Sequence, residues 1–173
     1  IDELKLRGSY AEVGNEPSGR FPYLSTYGAA PYGGASGLAT NLIGNNKIIW
    51  ETSKKINYGF DMTFGKNRFN LSFDVFKNKN DGLLFNAPQP PSLGIPGNAI
   101  TKNIGTLENK GVEIELGVQL VKGKAFSWRV DANFTSASNK VLALAEGQVE
   151  VPLAGPNNGT FNILRLNNPI NAF

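Results

Sequence analysis

Glu113 and Glu115 stand two residues apart, and Arg129 and Asp131 stand two apart on the far side of the short stretch Val121-Lys122-Gly123-Lys124-Ala125. Two neighbouring carboxylates can divide into an acid and a base and cleave glycosidic bonds, provided one is desolvated while the other stays ionised. A spacing of two puts the members of each pair on one face of a strand, and pairing across the turn sets Glu115 opposite Asp131 with Arg129 on the diagonal. A cation in that place neutralises the acids instead of pushing their protonation states apart, so the four read as a charge network and not as a catalytic dyad. Asp61 and Asp74 read the same way. The chain has no Cys and no His, which removes disulfides, Cys/His zinc sites, thiol nucleophiles and imidazole bases from its 173 residues. No catalytic residue, metal or cofactor is assigned, and the chain reads as something other than an enzyme.

Other candidate motifs reduce to chemistry of surfaces. Gly59 to Lys66 has five residues between its glycines and Asn67 where a phosphate loop needs Ser or Thr, and it falls on a strand. The glycosylation-like triplets at Asn70, Asn133 and Asn158 are read as accidental, two of them lying inside strands. Tyr23, Tyr27 and Tyr32 stand near Gly33-Gly34 in a region rich in turn formers; their rings could stack on sugar faces, or simply pack on their own loop. Pro88, Pro90, Pro91 and Pro96 suggest a stiff extended path that resists helix and strand alike, and Pro90 and Pro91 are candidates for contact with a partner or ligand. The net charge of +3 is spread among alternating signs with no run of cations, so a nucleic-acid partner is not expected.

The elements that carry these residues are strands. Apolar residues occupy every second position in Ile56–Phe64, Phe69–Val75, Val112–Leu120 and Phe126–Phe134, nineteen in all, and the fifteen positions between hold no large apolar residue. With 40% hydrophobic residues overall, so regular a period of two means half-covered β-strands. A weaker fifth segment runs from Leu4 to Tyr10. Gly65-Lys66-Asn67-Arg68 and Val121 to Ala125 are turn-sized and close hairpins. Val13 to Trp50, Lys77 to Lys110 and Lys140 to Phe173 read as long loops. Strands running alternately up and down from Leu4 place every long loop at one end and both short turns at the other.

Periodicity identifies an apolar face without saying what covers it. A soluble β-sandwich would bury that face against a second sheet. Three features favour lipid instead. Three loops beyond ~12–15 residues are unusual for a compact domain. Phe64, Phe69, Phe126 and Trp128 gather at the turn ends of the apolar face as an interfacial girdle would. The strands also have the ~9–11 residues that a tilted membrane strand needs. No stretch approaches the ~20 apolar residues of a spanning helix, which leaves a strand-built wall open. The expectation is an all-β, antiparallel, up-and-down transmembrane β-barrel segment of about five strands, with short periplasmic turns, long extracellular loops and a polar lumen lined by Asp61, Asp74, Glu113, Glu115, Arg129 and Asp131. Five strands cannot close a barrel, for which ~8 is the smallest number, so the chain reads as a piece of a longer one. Its end at Phe173 resembles loop approaching another strand.

Particular strings resemble one family. Leu4-Lys-Leu-Arg-Gly-Ser-Tyr10 followed by Gly14-Asn15, Trp50-Glu51-Thr52 with Asn57-Tyr58-Gly59-Phe60-Asp61, and above all Asn103-Ile-Gly-Thr-Leu-Glu-Asn-Lys-Gly-Val-Glu113 resemble late barrel strands of SusC/RagA-type TonB-dependent transporters of Bacteroidota. Phe126-Ser-Trp128, running on to Asn139-Lys140-Val141-Leu142, adds to the likeness, which covers nearly the whole chain in order. The resemblance implies a 22-stranded barrel of the outer membrane of a Gram-negative bacterium, with residues 1–173 as part of that single barrel domain. It also implies a plug and a TonB-contacting segment that this chain does not contain, a SusD-like surface lipoprotein on the extracellular loops, and import of glycan oligomers or peptides driven through TonB. The alternatives left open are a passive porin-like barrel segment and a soluble β-sandwich module that binds carbohydrate or acts as an adhesin.

Overall fold

A computed structural model describes residues 1–17, 21–144, 149–153 and 162–170. Among the described residues nine strands follow one another: β1 Glu3–Asn15, β2 Thr26–Ala29, β3 Leu38–Leu42, β4 Glu51–Phe64, β5 Phe69–Pro88, β6 Ala99–Lys122, β7 Ser127–Ala143, β8 Glu150–Leu153 and β9 Asn162–Arg165. The five long strands form one open sheet in the order β1-β4-β5-β6-β7, the up-and-down arrangement expected, and β2-β3 and β8-β9 form separate two-stranded sheets. Among the described residues there is no α-helix, and no helix long and apolar enough to cross a membrane, which has no bearing on crossing by strands.

Each long strand takes in its alternating segment, save that β7 begins one residue after Phe126, and runs beyond it. β5 continues to Pro88 and β6 begins at Ala99, so most of Lys77 to Lys110, expected as a loop, is strand. The connection is only 89–98, and it folds into two single 3-10 turns, Pro91–Leu93 and Pro96–Asn98. Pro91 and Pro96 therefore start turns, where a missing N–H does no harm, and Pro88 ends a strand, in place of the extended path expected. The reason the alternation hid these outer strand segments is physical. Ladder hydrogen bonds belong to the backbone, and a period of two appears only where the two faces of a strand meet different surroundings.

The long first connection is also partly ordered. β2 and β3 pair antiparallel with Tyr27 opposite Thr40 and Ala29 opposite Leu38. Tyr32 and Ala35 exchange backbone hydrogen bonds of 3.0 and 3.1 Å across Gly33 and Gly34, whose φ values of 61° and 81° suit a two-residue hairpin turn. After β7 the chain forms the β8-β9 pair, with Val151 opposite Leu164. The triplet at Asn158 lies outside the described residues.

The chain divides into two compact units. Unit one comprises Ile1–Glu12, Lys54–Lys79 and Glu108–Lys140, and unit two comprises Val13–Ser53, Asn80–Leu107 and Val141–Phe173. The hydrophobic cluster lies in unit two, where Ala87, Ile104, Val141 and Leu164 are buried and Phe85, Leu107, Leu144 and Ile170 pack against them. Unit one buries none of its described large apolar side chains. Its alternating residues Tyr58, Val75, Leu116, Leu120, Val130 and Phe134 are all exposed, at 65% for Tyr58 and 59% for Phe134.

Candidate functional site

The polar face of unit one carries the charged residues, and two arginines organise it. Arg7 on β1 makes Nη2 hydrogen bonds to Asp61 Oδ1 on β4 at 2.9 Å and to Asp74 Oδ2 on β5 at 2.7 Å, while Nη1 donates to Asp74 Oδ1 at 2.9 Å. Its Nε lies 2.8 Å from Asp61 Oδ2, which completes an ion pair with each carboxylate. Ser72 donates to Asp61 Oδ1 at 2.8 Å. Gly59 makes room for this cluster, since a Cβ there would fall against the Asp74 carboxylate and the Phe73 carbonyl. One planar fork thus ties the first strand of the sheet to the next two.

The second arginine is engaged within its own strand. Arg129 pairs with Asp131 on its own strand, with Nη2 2.7 Å from Oδ1 and Nε hydrogen bonds of 2.8 and 3.0 Å. Asn70, with its amide oriented to accept, takes hydrogen bonds from Arg129 Nη1 and Nη2 at 2.9 and 3.2 Å. Gly117 is what permits this, because a Cβ there would meet the guanidinium and the Asp131 carboxylate. Glu115, Asp61, Ser72 and Arg129 line one open cleft of about 230 Å³. Glu113 lines another, of about 420 Å³, with Ser9, Lys55, Asn57 and Asn78. Asp61 and Glu115 therefore line one cleft and Glu113 another, and Asp61, Asp74 and Asp131 are each paired with arginine. Arginine neutralises those three carboxylates, while Glu113 and Glu115 stand exposed on the same strand.

The remaining candidates are an aromatic set in unit one and tyrosines and prolines in unit two. Phe64 and Phe69 stack in parallel across the first turn, centroids 4.9 Å apart at 7°, and Phe126 and Trp128 beside the second turn are 63% and 52% exposed. Tyr27 lies on β2 and Tyr32 at the tip of its hairpin, 90% exposed, while Tyr23 packs edge-on against Phe21 at 6.0 Å. Pro90 and Pro91 open the first 3-10 turn.

Arg7 went unassigned in the sequence reading although it stands in the polar phase of the weak first segment. Its partners lie 54 and 67 residues away, and nothing local announces a pairing across so long a connection. The ion pair of Lys77 Nζ with Glu108 Oε2, at 2.8 Å, was hidden in the same way. In unit two, Asn103 acts as a miniature strand edge: its Oδ1 accepts from Ile49 N–H at 2.9 Å, and its Nδ2 donates to the carbonyls of Ile49 and Gly82 at 2.8 and 2.6 Å. Asn45 donates to the Thr101 carbonyl at 2.9 Å, and Glu51 accepts from Leu84 N–H and from Asn15, each at 2.8 Å. These side chains fasten the approach to β4 onto β5 and β6.

An open up-and-down sheet with one apolar and one polar face is the wall of a β-barrel. The family model for the TonB dependent receptor-like beta-barrel matches residues 1–169, and the chain belongs to that family, as a SusC/RagA-type segment. TonB-dependent receptor P39 of Formosa agariphila is 37% identical over 147 residues, covering 84% of this chain and 14% of that protein. TonB-dependent receptor SusC of Bacteroides thetaiotaomicron is 30% identical over 156 residues, covering 85% of this chain and 15% of that protein. Among solved structures, the RagAB peptide importer in its closed-closed state superposes with a TM-score of 0.81 at 25% identity, over 98% of this chain and 18% of the matched chain. The chain spans about one seventh of the length of the curated relatives it matches.

Proposed function

We propose that this chain is wall and extracellular loop in an outer-membrane importer whose complete barrel, of 22 strands, encloses a plug. The observation that carries the reading is the surface of unit one: a regular apolar face with no described element covering it, backed by a polar face on which Arg7 and Arg129 pair with Asp61, Asp74 and Asp131. A soluble sandwich would have to cover that apolar face with a second sheet. In a bilayer the same face is solvated by lipid, and the polar face borders a wet lumen. Phe64, Phe69, Phe126 and Trp128 then form the girdle at the turn side, and Asp61, Asp74, Glu113, Glu115, Arg129 and Asp131 line the lumen.

Strand length supports the direction of the loops. β5 has 20 residues and β6 has 24, about twice the ~9–11 needed to cross, so both continue well beyond the hydrocarbon on the side away from the short turns. The outer segments of these strands belong to unit two, with the β2-β3 hairpin that carries Tyr27 and Tyr32, the turns at Pro90 and Pro91, and the Asn103 fastening. That unit is the surface on which a SusD-like lipoprotein would sit and where glycan oligomers or peptides would first be met. Passage would draw on TonB through a segment outside these residues.

The test uses the full-length parent protein. Outer-membrane fractionation, heat-modifiable mobility of the folded barrel and co-purification of a surface lipoprotein are the expected results. Recovery of the parent in the soluble fraction would overturn the reading.

A further inference from the structure

The two short turns of unit one carry four cations, and none has an acidic partner among the described residues. Lys66 and Arg68 lie in the β4-β5 turn and Lys122 and Lys124 at the β6-β7 turn, all exposed. The one acid bound there, Asp2, is engaged by the backbone: its Oδ2 accepts from Asn67 N–H at 2.8 Å and its own N–H donates to the Thr63 carbonyl.

The turns are neighbours held at a fixed spacing. Gln119 N–H donates to the Arg68 carbonyl at 2.8 Å, and Gln119 Nε2 reaches Ser127 Oγ and the carbonyls of Val121 and Trp128 at 2.8, 2.8 and 3.2 Å. One residue on β6 therefore joins the two hairpins, its backbone N–H reaching the first and its side chain closing the second. Lys66 itself has φ 58°, a left-handed conformation that Gly or Asn adopts with less strain. Holding a lysine there points to a use for its charge.

The aromatic residues say what the charge meets. Phe64 and Phe69 flank the first turn directly, and Phe126 and Trp128 the second. Aromatic rings of this kind settle at the depth of the headgroups, with cations just beyond them at the phosphates. We propose that the turn end of unit one is a binding surface for anionic phospholipid headgroups in the leaflet facing the turns, with Lys66, Arg68, Lys122 and Lys124 as its phosphate contacts. The proposal rests on the barrel reading above.

The full-length parent is placed in nanodiscs of mixed phosphatidylglycerol and phosphatidylcholine, released, and the retained lipids counted by native mass spectrometry. The wild type should enrich phosphatidylglycerol, and each cation removed should lower the enrichment by up to about fivefold. The K66Q/R68Q/K122Q/K124Q variant should retain the two lipids in the proportion of the bilayer, while K66R/K122R/K124R keeps the preference. Heat-modifiable mobility reports folding of each variant separately. A folded quadruple variant with undiminished preference overturns the headgroup surface and leaves the barrel reading standing. Loss of the wild-type preference on adding millimolar inorganic phosphate overturns the lipid assignment in favour of a free-anion site. Failure of the wild type to enter the nanodisc overturns both.

Discussion

Replacing Leu116 by Arg separates a lipid-facing sheet from a soluble one. Leu116 is 39% exposed on the apolar face of β6, four residues before Leu120, which lies near the girdle. Four residues at about 3.4 Å along a strand tilted by about 45° place it roughly 9–10 Å above that girdle, near the middle of an apolar band about 25 Å tall. An arginine at the midplane costs about 2–4 kcal/mol. Its stem is long enough to lean toward the girdle, so the lower half of that range is expected, a shift of about thirty- to a hundred-and-fifty-fold in the folding equilibrium. The control must sit on the polar face without a structural duty. Gln119→Arg, neutral by the alternation alone, is unsuitable, because Gln119 makes three side-chain hydrogen bonds that hold the second hairpin. Asn133→Arg, exposed in the polar phase of β7, serves instead. Urea titration of the full-length protein in lipid, followed by heat-modifiable mobility, should show Leu116→Arg unfolding at lower denaturant and Asn133→Arg close to wild type. Equal behaviour of the two would refute the assignment of the apolar face to lipid.

Other expectations concern the fastenings. Gly111→Ala puts a Cβ against the Ser136 carbonyl and the Phe76 ring, at 2.5 and 2.7 Å, and backbone cannot give way as a flexible side chain can. A loss of about 1–3 kcal/mol is expected in the same titration, and a neutral result would show that β6 and β7 can separate freely. Arg7→Gln leaves Asp61 and Asp74 facing each other without their cation, so amide exchange across β1 should quicken, with partial recovery when Asp61→Asn is added; unchanged exchange would make Arg7 a bystander. Asn103→Ala should speed exchange at the Ile49 amide and cost about 1 kcal/mol, because Ile49 is 63% exposed and water replaces much of what is lost. Asn103→Asp keeps the acceptor for that amide and should protect it, which distinguishes the hydrogen bond from general loosening.

Alternation located all five long strands, the first through the weaker segment Leu4 to Tyr10, and both hairpin turns, because in the four strong segments one side of the strand is apolar throughout. It failed from Lys77 to Glu108. There apolar residues such as Phe85, Ala87, Ile104 and Leu107 join the buried cluster, while polar ones are matched to one another across the sheet, as Lys77 is to Glu108, Asp81 to Thr106 and Asn86 to Thr101. Such matches have no period, and a reader of one strand cannot see its neighbour. The charge network was half legible for the same reason. Arg129 was found because its partner is two residues away, although it chose Asp131 and Asn70 over a shared arrangement with Glu115. Arg7 was missed because its partners arrive only when β1 pairs with a strand that begins at Glu51.

The two ways of holding a strand lead to different tolerances. In the alternating segments each side chain answers to the surroundings of its face, so a change of polarity on the apolar face acts on folding wherever it falls. In the segments of matched polar pairs, a substitution disturbs one partner and leaves the backbone ladder in place. Selection can therefore change Thr101, Asp81 or the β2-β3 hairpin a pair at a time without endangering assembly. If the wall belongs to an importer, cargo choice would vary most easily there, and grafting Thr26–Leu42 from a relative of different cargo should move specificity while leaving the urea midpoint of the barrel unchanged. A graft that altered the midpoint and not the cargo would show that the hairpin serves the fold.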